Sequence, residues 1–317
     1  MANAVVENPT TGNQNPSRFQ RLRRNPIVVK ELRGRMRGNR AFAVLTGYLV
    51  LLSFGVGIVL LSVLAARNSP GSVSLRQSYG KAVFWVVVGM ELLIVSFVAP
   101  ALTAGAISSE REHQTYDLLR ASLLSARSLV FGKLSSAFSF TVLLLFAALP
   151  LQSLAFLFGG VAIEEFLIAS LLLIVSAFTF SAIGIYFSSL TKRTLVSTVL
   201  SFGTTIFIIF GLPILALISA NLFQTSMNNP ANSMSLTTEA LLVFAGWLLV
   251  SINPIATAIA TEAILISEQS AFYFAFPLSS GATFPILSPW ISYTLLYLLI
   301  SIAVIGLSIR LVRKKEA

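Results

Sequence analysis

Residues 41–65 read AFAVLTGYLVLLSFGVGIVLLSVLA, from Ala41 to Ala65, without a single charge. A bilayer hydrocarbon core about 30 Å thick is crossed by roughly 20 apolar helical residues, so this stretch is long enough to span it. Five more stretches qualify: Ala82–Ile107, Leu134–Phe158, Phe166–Leu190, Leu195–Ala220 and Ile286–Ile309. Helix is the form that these lengths demand, because lipid offers backbone amides no partner. A barrel strand would alternate apolar and polar positions, and Phe140–Leu145 does not. Composition agrees, at 56% hydrophobic and 11% charged over 317 residues with a mean hydropathy of +0.84. A soluble domain seldom carries so little charge. The chain therefore reads as an all-α polytopic membrane protein with six transmembrane helices.

The basic residues orient it. With the amino terminus in the cytoplasm, the first forty residues hold Arg18, Arg21, Arg23, Arg24, Lys30, Arg33, Arg35, Arg37 and Arg40 on that side. Arg111, Arg120, Arg127 and Lys133 follow in the loop 108–133, Lys192 and Arg193 in the fourth-to-fifth turn, and Arg310, Arg313, Lys314 and Lys315 at the end. Only Arg67, Arg76 and Lys81 fall outside, as the positive-inside rule demands. The expected location is the cytoplasmic (inner) membrane, with both termini cytoplasmic. The net charge of +10 is then a topology signal, and no nucleic acid is needed to explain it.

Ala240–Ile266 is apolar enough to suggest a seventh span, but Asn253-Pro254 cuts it into two short pieces. Pieces of that size read as re-entrant or interfacial, and a seventh crossing would put the basic tail outside. Residues 221–285 are expected to form one external region with two short membrane-dipping helices. Phe272, Tyr273, Phe274 and Phe276 should lie near the interface. The division that follows is a disordered basic tail over 1–24, an amphipathic helix over 25–40, the six-span domain over 41–310 and a cytoplasmic tail over 311–317. With no apolar leader in the first forty residues, the first span is read as its own insertion signal.

Several chemistries find no residues. The chain has no cysteine and one histidine, His113, which excludes thiolate chemistry and a His-pair metal site; no catalytic residue and no metal ligand is assigned. Gly132-Lys133 lacks the upstream glycine of a phosphate-binding loop, so any ATP must be bound by another subunit. No cofactor is expected on this chain.

Two cytoplasmic features remain. Asn25 and Pro26 form a helix-start pair. Beyond them Val29, Leu32 and Met36 share one stripe, while Lys30, Arg33, Arg37 and Arg40 share another. Such a helix lies in the headgroup region and is drawn to anionic lipid headgroups. In the loop 108–133, Ser109 and Glu112 have capping-box spacing, which predicts a helix from Glu110. Its first half carries Glu110, Glu112 and Asp117, and Tyr116, Leu119 and Leu123 line one face. A helix this short needs a docking surface, either the inner ends of its own spans or a partner protein.

Asn25-Pro-Ile-Val-Val-Lys-Glu-Leu-Arg33, then Arg35-Met-Arg37 and the first span, resembles the amino-terminal signature of type-2 ABC transporter permeases. Ala99-Pro-Ala-Leu-Thr-Ala-Gly-Ala-Ile-Ser-Ser-Glu-Arg-Glu112, with Thr115 and Asp117-Leu-Leu119, resembles that family's second-span exit and Glu-Arg-Glu coupling segment. His113-Gln114 departs slightly from the family pattern. The resemblance implies a permease subunit that binds separate ABC ATPase subunits, which hold ATP and Mg, and that pairs with a second permease chain as a homo- or heterodimer. It makes Asn25–Arg40 the connecting helix. Glu110, Arg111, Glu112, Thr115, Tyr116, Leu118 and Leu119 become the ATPase-coupling residues.

Glu91 stands apart as an acid inside the second span. Intramembrane acids are costly and are functional candidates, yet a neutral, hydrogen-bonded side chain serves structure equally well. Two other readings follow: a non-transporting membrane anchor for a larger complex, or a proton-coupled secondary transporter using Glu91. The second of these should show internal repeats, and none is visible.

Overall fold

The computed structural model describes residues 31, 34, 39–66, 75–115, 125–215, 217–218, 236–268, 270–277 and 283–314. The expected disordered tail, Lys30, Arg33, Arg37, the side chain of Arg40, and Tyr116, Leu118 and Leu119 lie outside the described residues.

Among the described residues, six helices are long and apolar enough to cross a membrane. They are built on α1 (Asn39–Ala66), α2 (Leu75–Thr103), α4 (Ala126–Phe158), α5 (Ile163–Leu190), α6 (Thr194–Ile206) and α9 (Pro289–Lys314). Between them lie the short α3 (Ser108–Glu112) and the pair α7 (Leu236–Ile252) and α8 (Pro254–Glu268). A strand pair, β1 (Tyr273–Pro277) and β2 (Thr283–Leu287), precedes α9.

The most enclosed span is α5, with 61% of its apolar window buried against 22% for the span containing α6. Its Phe180, Ala177 and Leu173 sit in the apolar cores shared with its neighbours. Gly184 permits a close approach to α2, because a Cβ there would overlap Thr103 Oγ1 and lie 3.1 Å from both Cα and O of Pro100. Polar ties lock α9 onto α5: the Ser176 and Tyr293 hydroxyls are 2.7 Å apart, and Ser301 Oγ donates to Thr179 Oγ1 at 2.9 Å.

Three departures from the sequence reading have physical causes. Helix α4 starts at Ala126 rather than Leu134, capped by Ser125, whose side chain accepts from the Ser128 amide. Lys133 is thus a buried helical residue and not part of a loop. The external aromatic stretch forms a β-hairpin with Tyr273 opposite Leu287 and Phe276 opposite Phe284, residue types that favour a pleated surface. Its ends are tied down as Trp247 Nε1 donates to Leu287 O at 2.9 Å and Trp290 Nε1 to Ala271 O at 2.6 Å. The last span accordingly starts at Pro289 instead of Ile286.

The break at Asn253 is as expected, and α7 and α8 meet at 116°. Asn253 Oδ1 accepts from the Ala256 amide at 2.8 Å, capping α8 ahead of Pro254. Its Nδ2 donates to the carbonyls of Ile208 and Ile209 at 2.7 and 2.9 Å. Those carbonyls lie in a π-helical turn, Phe207–Gly211, that continues α6. Pro213 has no N–H to give Ile209, so the α6 ladder is relieved there and Asn253 satisfies what it frees.

Candidate functional site

At one end of the bundle α2 passes through a turn into α3, which packs against α4, α5 and the start of α6 through side chains of opposite character. Ser188 Oγ near the end of α5 accepts the amide hydrogens of Ile107 and Ser108 at 2.8 and 3.0 Å. The first orphan amides of α3 are therefore satisfied from another helix. The expected Ser109–Glu112 capping box does not form, and Ile107 occupies the cap position with no side-chain bond.

Each member of the Glu-Arg-Glu segment has its own anchor. Arg111 Nη1 donates to the Ser189 and Thr191 carbonyls at 2.7 and 3.4 Å, at the α5 terminus where unpaired carbonyls carry negative partial charge. Glu112 Oε2 accepts the Thr194 amide at 3.0 Å, at the positive amino end of α6. Glu110 Oε1 lies 2.5 Å from Lys133 Nζ, and Glu31 Oε1 lies 3.3 Å from the same ammonium. Lys133 thus gathers a residue of the amino-terminal basic segment, the short helix α3 and the third span.

Helix α3 ends at Glu112. His113 leaves helical geometry, Gln114 takes φ 58°, and the Thr115 amide and hydroxyl both donate back to Glu110 O at 2.9 and 3.2 Å. The expected helix over Glu110–Leu119 is therefore interrupted, with a turn at Gln114. Glu112, His113, Gln114 and Thr115 are exposed. Of the expected coupling residues, Glu110, Arg111, Glu112 and Thr115 come together here.

Glu91 is fully buried in α2 and accepts Gln152 Nε2 of α4 with both oxygens, at 2.9 and 2.8 Å. At the other end of the bundle, Lys81 Nζ of α2 lies 3.0 Å from Glu165 Oε1 of α5 and 2.8 Å from Glu262 Oε1 of α8. Sequence reasoning missed Lys133, Gln152 and this second cluster. Lys81 and Lys133 sit at the margins of apolar stretches, where hydropathy reads them as loop residues, and their carboxylate partners lie elsewhere in the chain.

A family model described as ABC-2 family transporter protein matches residues 26–313. No curated protein matches the chain.

Proposed function

The chain belongs to the ABC-2 family of transporter proteins, and from that premise we propose that it is a permease subunit driven by a separate ABC ATPase docked on the α3 turn. It is a multi-pass membrane protein of that family. Both termini lie in the cytoplasm in this reading, and ATP and Mg are bound by the ATPase. Two permease chains frame the path between them, and alternating exposure of that path follows ATPase closure.

The observation that carries the proposal is the anchoring of Glu110, Arg111 and Glu112. These three side chains bind α4, the end of α5 and the start of α6, while Glu112 through Thr115 remain exposed. A push on the exposed turn would reach three spans through ion pairs and helix-end contacts rather than through a flexible loop. Gln152 beside Glu91 supports a structural role for that acid, since an amide does not relay protons by titrating. An anionic lipid partner finds support at the same end of the bundle. There Arg127, Arg310 and Arg313 line a cavity of about 790 Å³ with Phe131 and Ile309, which suits a headgroup and the top of its chains.

The test is isolation of the full chain from its native membranes in mild detergent. An ABC ATPase should co-purify in stoichiometric amount, with hydrolysis altered by the permease. A chain that purifies intact without any ATPase overturns the proposal and favours the membrane-anchor reading.

A further inference from the structure

The Lys81 cluster does not belong to the site described above. Among the described residues one ammonium faces two carboxylates there, a surplus of negative charge at a mostly buried position. The second oxygen of each acid, Glu165 Oε2 and Glu262 Oε2, is buried with no hydrogen-bond partner among the described residues, and so are Thr261 Oγ1 and Trp85 Nε1. Thr261 is 2% exposed. Buried polar atoms are almost always paired, so the three that can accept, Glu165 Oε2, Glu262 Oε2 and Thr261 Oγ1, call for a donor group that satisfies them.

All four residues line a single void of about 10 Å³. A void of that size holds one water-sized group. Trp85, Ala258 and Glu262 also line an adjoining cavity of about 510 Å³, whose other walls include Val86, Gly89, Met90, Ile255 and Ile259. Its volume lies in the range of small-molecule sites, which pair an apolar body with a few placed polar groups.

The donor and acceptor inventory selects the ligand. Carboxylate oxygens only accept, the indole N–H only donates, and the Thr261 hydroxyl does either. Acceptors and negative charge are therefore in surplus. We propose that this cavity binds an alkylammonium compound, with its –NH₃⁺ between Glu262, Glu165 and Thr261 and its hydrocarbon along α2 and α8. An ammonium brings three donors and the missing positive charge, and the 510 Å³ cavity takes the chain. Phosphatidylethanolamine and a free amphiphilic amine carry the same chemistry.

The experiment is equilibrium binding of tritiated decylammonium to the full chain in an uncharged sugar detergent, without ATPase or nucleotide, so its failure leaves the permease assignment untouched. Wild type should bind saturably, and decanol, with the same chain and no charge, should not compete. Glu262→Gln removes the charge while Lys81 keeps Glu165. Gly89→Leu fills the apolar cavity, and an added Cβ there meets nothing within 4 Å. Each variant should lose at least about tenfold in affinity, the scale of a lost charged contact. Should Glu262→Gln fail to fold, Gly89→Leu and the decanol competition decide. Repeating the assay in nanodiscs separates the sources, because phosphatidylethanolamine blocks the site if the ligand is lipid and phosphatidylglycerol does not. Non-saturable binding, equal competition by decanol, or wild-type affinity in the folded variants would overturn the proposal.

Discussion

Replacing Lys133 with Met keeps the apolar stem of the side chain and deletes its ammonium, which tests whether the ion pairs hold α3 in place. The lysine side chain is 5% exposed, while Glu110 and Glu31 retain 22% and 29% exposure. Breaking a fully buried pair by removing one partner costs about 3–5 kcal/mol. Partial rehydration of the two carboxylates reduces that to about 1–3 kcal/mol. A value of about 2 kcal/mol corresponds to roughly a thirty-fold change in the docking equilibrium of α3. Hydrogen–deuterium exchange reads it directly. The Ile107 and Ser108 amides are protected by Ser188, and the Thr194 amide by Glu112, so all three report on docking. Their protection should fall by about the same factor in Lys133→Met. It should partly return when Glu110→Gln is added, because the closer of the two carboxylates is then neutral and only the more exposed Glu31 is left without its cation. Protection unchanged within about two-fold in the single variant would refute the reasoning, since a shift that small is under 0.5 kcal/mol.

Other expectations follow from the same contacts. Glu91→Gln should keep the thermal stability and most transport activity of the wild type, because an amide preserves the shape and polarity that meet Gln152. Gln152→Leu should lose about 1–3 kcal/mol by leaving buried Glu91 alone, read as a fall in melting temperature of the purified chain. Asn253→Ala should destabilise the α7–α8 bend and the α6 π-turn together, by about 1–3 kcal/mol, since one side chain satisfies two carbonyls and a helix amide. Protease protection in sealed vesicles would show it as cleavage near residue 253 that the wild type resists. For topology, a cysteine at Phe272 should react with an impermeant maleimide from outside the cell and one at His113 only after permeabilisation.

Chain length and hydropathy made the six spans readable, because the bilayer sets one length scale that all must meet. The Asn253-Pro254 break was legible for the same reason, since each half is too short to cross and proline marks the start of the second. Boundaries were less so. Lys133 looks like a loop residue on any hydropathy measure, and only its meeting with Glu110 and Glu31 explains its place inside α4. The Glu-Arg-Glu segment could be located from its motif, but its partners could not. Ser188 and Ser189 at the end of α5, Thr191 after it and Thr194 at the start of α6 lie far along the chain, and Ser188 displaced the local capping box that Ser109 and Glu112 suggested. The Lys81–Glu165–Glu262 cluster joins three separate helices, a juxtaposition with no local signature. The hairpin escaped notice because its aromatic residues also suit a membrane interface.

The absence of cysteine from the sequence allows the central claim to be tested by a single introduced thiol. His113→Cys, at the exposed turn after α3, can be labelled with a benzophenone maleimide in native membranes and irradiated, and the adduct identified by mass spectrometry. The account predicts a cross-link to an ABC ATPase from position 113 and none from Phe272→Cys in the hairpin region. An intact, labelled chain that yields no ATPase adduct from position 113, or an ATPase adduct from position 272 instead, would contradict it.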